Sequence, residues 1–157
     1  MFRELTRKKQ ELTWEECIAV LTEEKRGVLS VLGDGDYPYG MPMNHFYNEN
    51  DGCIYFHCGR GGHRLDALRR HEKASFCVYA GKATEGEWFL RFRSVIVFGR
   101  MEIVEDADTV VEITRCLCEK FTQDEDYIRR EIEQFASKTV LLKMIPEHTC
   151  GKRVTES

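Results

Sequence analysis

Residues 56–70 read FHCGRGGHRLDALRR, a stretch in which three glycines, two histidines, one cysteine and four arginines lie between apolar flanks. Metal sites use histidine and cysteine, whereas anion sites use glycine-rich turns and basic side chains. The composition fits both kinds of site. The function of the protein depends on which of them is present, and the spacing of the residues distinguishes them.

A metal site in this stretch would recruit His57, Cys58 and His63, together with His45 earlier in the chain. The ligands of tetrahedral zinc must converge on one point. His57 and Cys58 are adjacent, and adjacent residues of a β-strand point to opposite faces of the sheet. The stretch also lacks the Lys-Ser/Thr ending of a phosphate-binding P-loop. We therefore expect neither a metal site nor a P-loop.

An anion cradle at the start of a helix is the best physical account of the stretch. Glycines let the backbone approach an anion closely, and the first N–H groups of a helix beginning at about residues 62–65 lack partners within the helix. His63 and Arg64 add side-chain donors, and an arginine can hold two phosphate oxygens at once. A flexible glycine turn followed by a solvated basic helix face remains the alternative.

Apolar and β-branched runs predict six strands around this stretch. The strands cover residues 28–32, 39–48, 53–58, 74–80, 88–105 and 139–145. The second strand contains Pro42, which cannot donate to a β-ladder, so this strand belongs at a sheet edge, at a bulge or beside a ligand. The long strand is predicted to bend at Gly99, and the last strand is predicted to end before Pro146.

Helical periodicity predicts a helix over residues 13–25, with Thr13 as its N-cap and Gly27 as its end. A short helix follows the glycine turn, and two more cover residues 107–121 and 124–135. Strands and crossover helices do not alternate, which excludes a doubly wound fold. The pattern predicts one domain over residues 1–157, a mostly antiparallel sheet closing into a barrel with helices at its periphery.

Composition limits the possible functions. The 157 residues are 42% hydrophobic and carry a formal charge of -4, which excludes a disordered chain and argues against non-specific nucleic-acid binding. No signal peptide and no run of the roughly 20 apolar residues of a membrane-spanning helix is visible, so we expect a cytosolic protein. The seven cysteines show no CxxC pair, and we expect them to be reduced thiols.

Three segments, taken together and in order, resemble a known family. They are YGMPMNHFY at 39–47, IYFHCGRGGHRLDALRRHEKASFCVY at 54–79 and RSVIVFGRMEIVED at 93–106. The chain resembles the FMN-binding split-barrel family related to pyridoxamine 5'-phosphate oxidase, and within it the nitroimidazole-resistance branch, from about residue 10 to Lys152. The resemblance implies a six-stranded antiparallel split β-barrel that binds FMN at the interface of a homodimer.

The resemblance also implies which residues contact the cofactor. The strand around Pro42 would run along the isoalloxazine ring, the end of the third strand would face the ribityl chain and phosphate, and the basic pair after the glycines would hold the phosphate. Arg93 and Ser94 would reach the cofactor from the other subunit, although a solvent-facing strand position is the simpler alternative for Arg93. The implied cofactor-binding residues are Met41, Pro42, Met43, Asn44, His45, Phe46, His57, Cys58, His63, Arg64, Arg93 and Ser94.

The function implied by the resemblance is that of an FMN-dependent oxidoreductase. The chain lacks the further basic residues near the C-terminus with which the oxidase holds pyridoxal phosphate, so reduction of a small aromatic or nitro compound fits better. Trp88 would suit such a flat acceptor. His45 or His57 would donate the proton, because an imidazole titrates near neutral pH; both are equally well explained as hydrogen-bond partners.

A non-catalytic module that binds FMN or haem is the competing hypothesis. His45, His57 and His63 would then be available as axial haem ligands. The residues alone do not choose between the enzyme and the module.

Overall fold

The structure is a computed structural model that describes residues 2–81 and 90–156. Its α-helices are α1 (Trp14–Glu23), α2 (His63–Arg70), α3 (Ala107–Glu119) and α4 (Glu125–Phe135). Its strands are β1 (Arg26–Leu32), β2 (Pro38–Asn44), β3 (Phe46–Asn48), β4 (Cys53–Gly59), β5 (Lys73–Gly81), β6 (Leu90–Val104) and β7 (Thr139–Glu156). The predicted aromatic contribution of Trp88 lies outside the described residues. No helix among the described residues is long and apolar enough to cross a membrane.

The strands form one antiparallel sheet in the order β2-β1-β5-β6-β7-β4-β3. The sheet curls, so that β2 and β4 contact each other although they lie near opposite ends of this order. The inner face of the curl encloses the main hydrophobic core, to which α1 and α2 contribute. A second apolar cluster joins α3 to the outer face of β4 and β7. The predicted class, a mainly antiparallel split barrel with peripheral helices, is confirmed.

The sheet has seven strands where the sequence predicted six, because the segment 39–48 is divided in two. His45 interrupts it, and its side chain is completely buried. β2 precedes the interruption and pairs with β1, whereas β3 follows it and pairs with β4 at the other end of the sheet. The predicted edge position of the proline-bearing strand is confirmed, since β2 ends the strand order.

The predicted bend at Gly99 is confirmed, but the predicted end of the last strand is wrong. The β6–β7 register shifts between Phe98 and Gly99, and Pro146 lies opposite Gly99 at this irregularity. A proline is tolerated there because an irregular position does not need its missing N–H group. β7 therefore continues to Glu156. A Cβ atom at Gly99 would overlap the carbonyl oxygen of Ile145.

The predicted role of Gly27 as a helix end is also wrong. α1 ends at Glu23, and Gly27 lies inside β1. A Cβ atom at Gly27 would lie 2.5 Å from the ring of Phe76, so the glycine makes room for that ring. Thr13 caps α1 as predicted, and its side chain accepts a hydrogen bond from the backbone N–H of Glu16.

Candidate functional site

The N-terminus of α2 differs from those of the other α-helices because no side chain caps it. α1, α3 and α4 begin with the capping side chains of Thr13, Asp106 and Asp124. α2 begins after Gly62, whose φ of +105° lies in a region that side-chain-bearing residues rarely adopt. The first N–H groups of α2 thus lack a capping oxygen, and the helix dipole adds positive potential there.

The glycine turn before α2 leaves open space beside the backbone. Among the described residues, no heavy atom lies within 4 Å of a Cβ position built on Gly59, Gly61 or Gly62. A cavity of about 250 Å³ occupies this region, and we call it the cradle. Its walls are Tyr39, Cys58, Gly59, Gly61, Gly62, His63, Arg64 and Leu65.

Arg64 supplies the positive charge of the cradle. Its side chain is partly buried, and its Nε donates a hydrogen bond to the Sδ atom of Met41 at 2.8 Å. No carboxylate among the described residues forms an ion pair with it, although eight other arginines of the described residues have such a partner. A partly buried guanidinium without a protein anion is suited to binding an anionic ligand.

His63 forms one side of the cradle and is held in place by two contacts. Its ring stacks on Tyr39, with centroids 4.5 Å apart and planes inclined by 11°. Its Nε2 accepts a hydrogen bond of 3.3 Å from the backbone N–H of Asp34. Nδ1 then carries the ring proton while His63 is neutral. Asp34 also pairs with Arg70 at 2.6 Å, which ties the β1–β2 turn to α2.

A second cavity, of about 690 Å³, adjoins the cradle, and the two share Cys58 and Gly59 as walls. We call it the large cleft. One side is formed by Asn44 and by the end of β4, and the other by α3 and α4. His57 lines the large cleft. Partial burial and the nearby charge of Arg64 lower the pKa of His57, so that its imidazole is mostly neutral at pH 7.

The side chains of β4 alternate as expected for a strand. His57 is exposed to the large cleft, whereas Cys58 packs against the main core. Burial raises the pKa of the Cys58 thiol, and the charge of Arg64 opposes this effect. In the described part of the chain, no group of three or more His, Cys, Asp or Glu side chains is arranged to hold a metal ion.

The predicted ring-binding residues of β2 divide between the two faces of the sheet. Met41 and Met43 are buried in the core, while Pro42 is exposed on the outer face. Asn44 reaches the large cleft, and Phe46 packs against the apolar cluster under α3. Only part of the predicted set therefore presents side chains at a cavity.

His45 lies in the interior rather than in either cavity. Its Nε2 is 2.8 Å from the carbonyl oxygen of Leu21, which can only accept, so Nε2 carries the proton. Its ring meets the edge of Phe76 with centroids 4.9 Å apart. Lys120 donates hydrogen bonds to the backbone oxygens of His45 and Glu24, at 3.0 and 2.7 Å. These contacts fix the break between β2 and β3.

Acid is expected to destabilise the protein through His45. Burial, together with the charge of Lys120, lowers the pKa of His45 from 6.5 to about 4. Because protonation then favours the unfolded chain, the stability is fully present above pH 6.5 and falls as the pH drops toward about 4, by roughly 3 kcal/mol. Urea unfolding of the wild type and of His45→Gln between pH 7 and 4 measures this loss of stability. The loss should be absent in His45→Gln and present in His71→Gln, an exposed control. An equal loss in His45→Gln would contradict the assignment.

Arg93 and Ser94 lie side by side in β6, and neither is among the described walls of the two cavities. Both are partly exposed, and Nη2 of Arg93 is 3.5 Å from a carboxylate oxygen of Glu23. Their predicted contact with the cofactor from the other subunit stays a prediction.

The structure brings together residues from distant parts of the sequence that the motifs did not indicate. The cradle includes Tyr39. The large cleft is closed by α3 and α4, whose side chains face it at intervals of three or four residues. The only sequence signal for the latter is this periodicity, which equally predicts a packed helix. The residues missed are Arg26, Tyr39, Leu65, Thr114, Leu117, Cys118, Phe121, Tyr127, Glu131, Phe135, Lys138 and Thr139.

The curled sheet defines a split-barrel protein, and the cradle at the start of α2 is its candidate anion site. The model of the pyridoxamine 5'-phosphate oxidase family matches residues 13–153. The chain therefore belongs to the pyridoxamine 5'-phosphate oxidase-like family of flavin-binding split-barrel proteins. No curated protein gives a significant sequence match.

Solved structures support the fold. A conserved hypothetical protein from Mycobacterium tuberculosis has a TM-score of 0.82 and 19% identity, covering 96% of this chain and 90% of that one. A 5-nitroimidazole antibiotic resistance protein from Bacteroides thetaiotaomicron gives 0.73 and 18%, with 94% and 90% covered. An FAD-binding protein from Mesorhizobium loti gives 0.68 and 20%, with 92% and 97% covered.

Proposed function

We propose that the protein binds FMN, with the phosphate in the cradle, and acts as an oxidoreductase on a small aromatic or nitro compound. The observation that carries the proposal is the partly buried guanidinium of Arg64, without a carboxylate partner among the described residues, at the uncapped start of α2. The membership of a flavin-binding family and the names of two structural neighbours, one FAD-binding and one a nitroimidazole resistance protein, support it.

The described residues fit the phosphate and ribityl parts of FMN. The N–H groups of the first turn of α2 would hold phosphate oxygens together with Arg64 and Nδ1 of His63. Gly59, Gly61 and Gly62 leave the backbone accessible, because a side chain at these positions would fill the cradle. An anion of two charges would compensate both the guanidinium and the helix dipole.

The ring of FMN would lie beyond the cradle, toward Asn44 and His57. These two side chains line the large cleft, which shares Cys58 and Gly59 with the cradle. In the described sheet, β2 pairs with β1 alone. The backbone groups along the other side of β2 are therefore free to form hydrogen bonds with the polar atoms of the flavin ring. Pro42 leaves β2 with one backbone donor fewer.

A bound FMN supplies two-electron transfer from a reduced nicotinamide to the acceptor compound. The contribution of this chain is a proton at the large cleft, and His57 is placed to deliver it. His45 is enclosed in the core, so its position favours a structural role. Of the two histidines predicted as proton donors, the geometry therefore supports His57 better.

Replacing His57 by Gln is expected to lower kcat/KM for a nitroimidazole by about 100-fold, the low end of general-acid effects, while FMN affinity stays nearly constant. Because the pKa of His57 is lowered, the wild-type rate should rise as the pH falls below 6.5 and the variant should lack this rise. Steady-state turnover with a reduced nicotinamide measures both, with His71→Gln as an exposed control. A variant with the wild-type rate and pH profile would exclude His57 as the acid.

We further propose that a second copy of the chain covers the outer face of the sheet. Pro42, Val28, Cys77 and Ile96 are register neighbours across β2, β1, β5 and β6, and they form an apolar row on this face. Val28 is 42% exposed, which is unusual for a central position of an apolar row. A homodimer across this face would place Ser94 of β6, which shares the face of Ile96, near the partner, whereas Arg93 points to the other face.

Val28→Glu is expected to convert the dimer into a monomer, because it puts a charge on each side of a two-fold apolar contact. Sedimentation velocity measures the change. Val111→Glu is the matched control, since Val111 is 41% exposed on α3, away from the apolar row. A wild-type monomer, or equal behaviour of both variants, would exclude this interface.

Turnover separates the enzyme from the non-catalytic alternative. In the absence of dioxygen, the purified chain, loaded with FMN, is expected to oxidise more than one equivalent of a reduced nicotinamide only when a nitroimidazole or a related acceptor is present. Flavin absorption without such turnover would support a binding module, and a Soret band would indicate haem.

A further inference from the structure

The large cleft has a second wall that the binding of FMN leaves unexplained. On α4, Tyr127, Glu131 and Phe135 recur every four residues and line the cleft. Leu117 and Phe121, at and beyond the end of α3, line it from the other helix. The cleft therefore contains apolar surface beyond the residues that it shares with the cradle.

Three aromatic rings in this wall are exposed to solvent. Phe121, Tyr127 and Phe135 have 38%, 45% and 46% of their surfaces accessible. Large exposed aromatic side chains gathered around one cavity mark a binding surface for an apolar or aromatic ligand. A flat aromatic ligand suits this wall, because rings from α4 and from the segment after α3 both line the cleft.

Arg26 brings a positive charge to the wall of the large cleft. The guanidinium of Arg26 lies 5.4 Å from the centroid of the Phe121 ring, and Nζ of Lys25 lies 5.2 Å from it. Neither cation forms an ion pair with a carboxylate of the described residues. Lys138 also lines the large cleft, where Glu131 is the one carboxylate among the described walls. Two cations of the cleft wall thus face one carboxylate.

Glu131 brings a negative charge to the same cleft. It lines the wall together with His57 and Cys118, and its charge acts to raise the pKa of both. An anionic group would be repelled from Glu131 and attracted to Arg26. The cleft therefore favours a ligand with an aromatic body and an anionic group at one end.

We propose that the large cleft binds a planar aromatic carboxylate, with its ring against Tyr127 and Phe135 and its carboxylate on Arg26. An arginine suits this role because its planar fork donates to both carboxylate oxygens. Binding of such a compound stands independently of FMN. Its role as the electron acceptor rests on the proposed function.

The probes are 2-naphthoate and its neutral isostere 2-naphthamide, which differ only in charge and hydrogen bonding at one group. Calorimetric titration of the full chain, before and after loading with FMN, is expected to show 2-naphthoate binding about tenfold more tightly, as one charged hydrogen bond requires. Arg26→Gln should abolish this preference, whereas Arg129→Gln, which removes a guanidinium paired with Asp126 on α4, should retain it. Tyr127→Ala should weaken both probes to a similar extent.

Equal affinity for the two probes, or an unchanged preference in Arg26→Gln, would overturn the proposal. The proposal would also be overturned if the wild type did not bind 2-naphthoate and Tyr127→Ala changed the oligomeric state. The exposed rings would then be covered by a second copy of the chain. The FMN titration on the same preparation keeps the outcomes distinct: naphthoate binding without FMN binding contradicts the proposed function alone, and the reverse result contradicts this inference alone.

Discussion

Arg64→Ala is expected to weaken FMN binding by about 1.5–3 kcal/mol, the contribution of a hydrogen bond to a charged group. Riboflavin, which lacks the phosphate, should bind the variant almost as well as the wild type. FMN and riboflavin should differ because the guanidinium of Arg64 lies in the cradle, at the start of α2. None of the described carboxylates forms an ion pair with it there. Quenching of flavin fluorescence on titration measures both affinities.

Arg60→Ala is the matched control for this prediction. Arg60 lies in the same glycine turn, but it is exposed, donates to the backbone oxygen of Ser137 at 3.1 Å and pairs with Glu105 at 3.1 Å. Its removal should leave FMN binding within about 0.5 kcal/mol, as for most surface substitutions. An equal loss of FMN and riboflavin affinity in Arg64→Ala would show that Arg64 supports the fold, through its contact with Met41, and does not hold the phosphate.

Phe76→Ala is expected to lower the free energy of unfolding by about 3–5 kcal/mol, the range for deleting a buried phenylalanine ring. Phe76 is completely buried, and its ring meets the edges of Phe56 and His45, each at a centroid distance of 4.9 Å. Gly27 faces the same ring, so the neighbouring backbone has no side chain with which to fill the void. The remaining cavity would loosen the centre of the barrel.

Urea unfolding monitored by circular dichroism measures this effect. Tyr37→Ala is the control, because Tyr37 is 76% exposed and its removal should change the stability by less than about 0.5 kcal/mol. A loss below about 2 kcal/mol in Phe76→Ala would mean that the core around His45 is packed less tightly than these ring contacts require.

The sequence predicts the strands well because their apolar runs and turn residues are local signals. β1, β4 and β5 lie within two residues of their predicted bounds, and the bend at Gly99 follows from its missing side chain. The errors have non-local causes. Pro146 continues a strand because β6 shifts register opposite it, and His45 divides a strand because Leu21 and Lys120 bind it from other elements.

The candidate site likewise has one part that the sequence predicts and one part that it does not. Glycines, His63 and Arg64 form a contiguous motif, so the cradle is recognisable from the sequence alone. The large cleft is not, because Phe121, Tyr127 and Arg26 are brought together only by tertiary packing. The periodicity of the cleft residues on α3 and α4 matches that of an ordinary buried helix face, and the sequence does not reveal that Phe121 and Tyr127 remain exposed.

Titration of the purified full-length chain with FMN, followed by absorption and fluorescence, tests the central claim most directly. The account predicts saturable binding of one FMN per chain, a perturbed flavin absorption band, and much weaker binding of riboflavin, because the cradle holds the phosphate. A chain that cannot be reconstituted with FMN, or that binds FMN and riboflavin with equal affinity, would contradict the account.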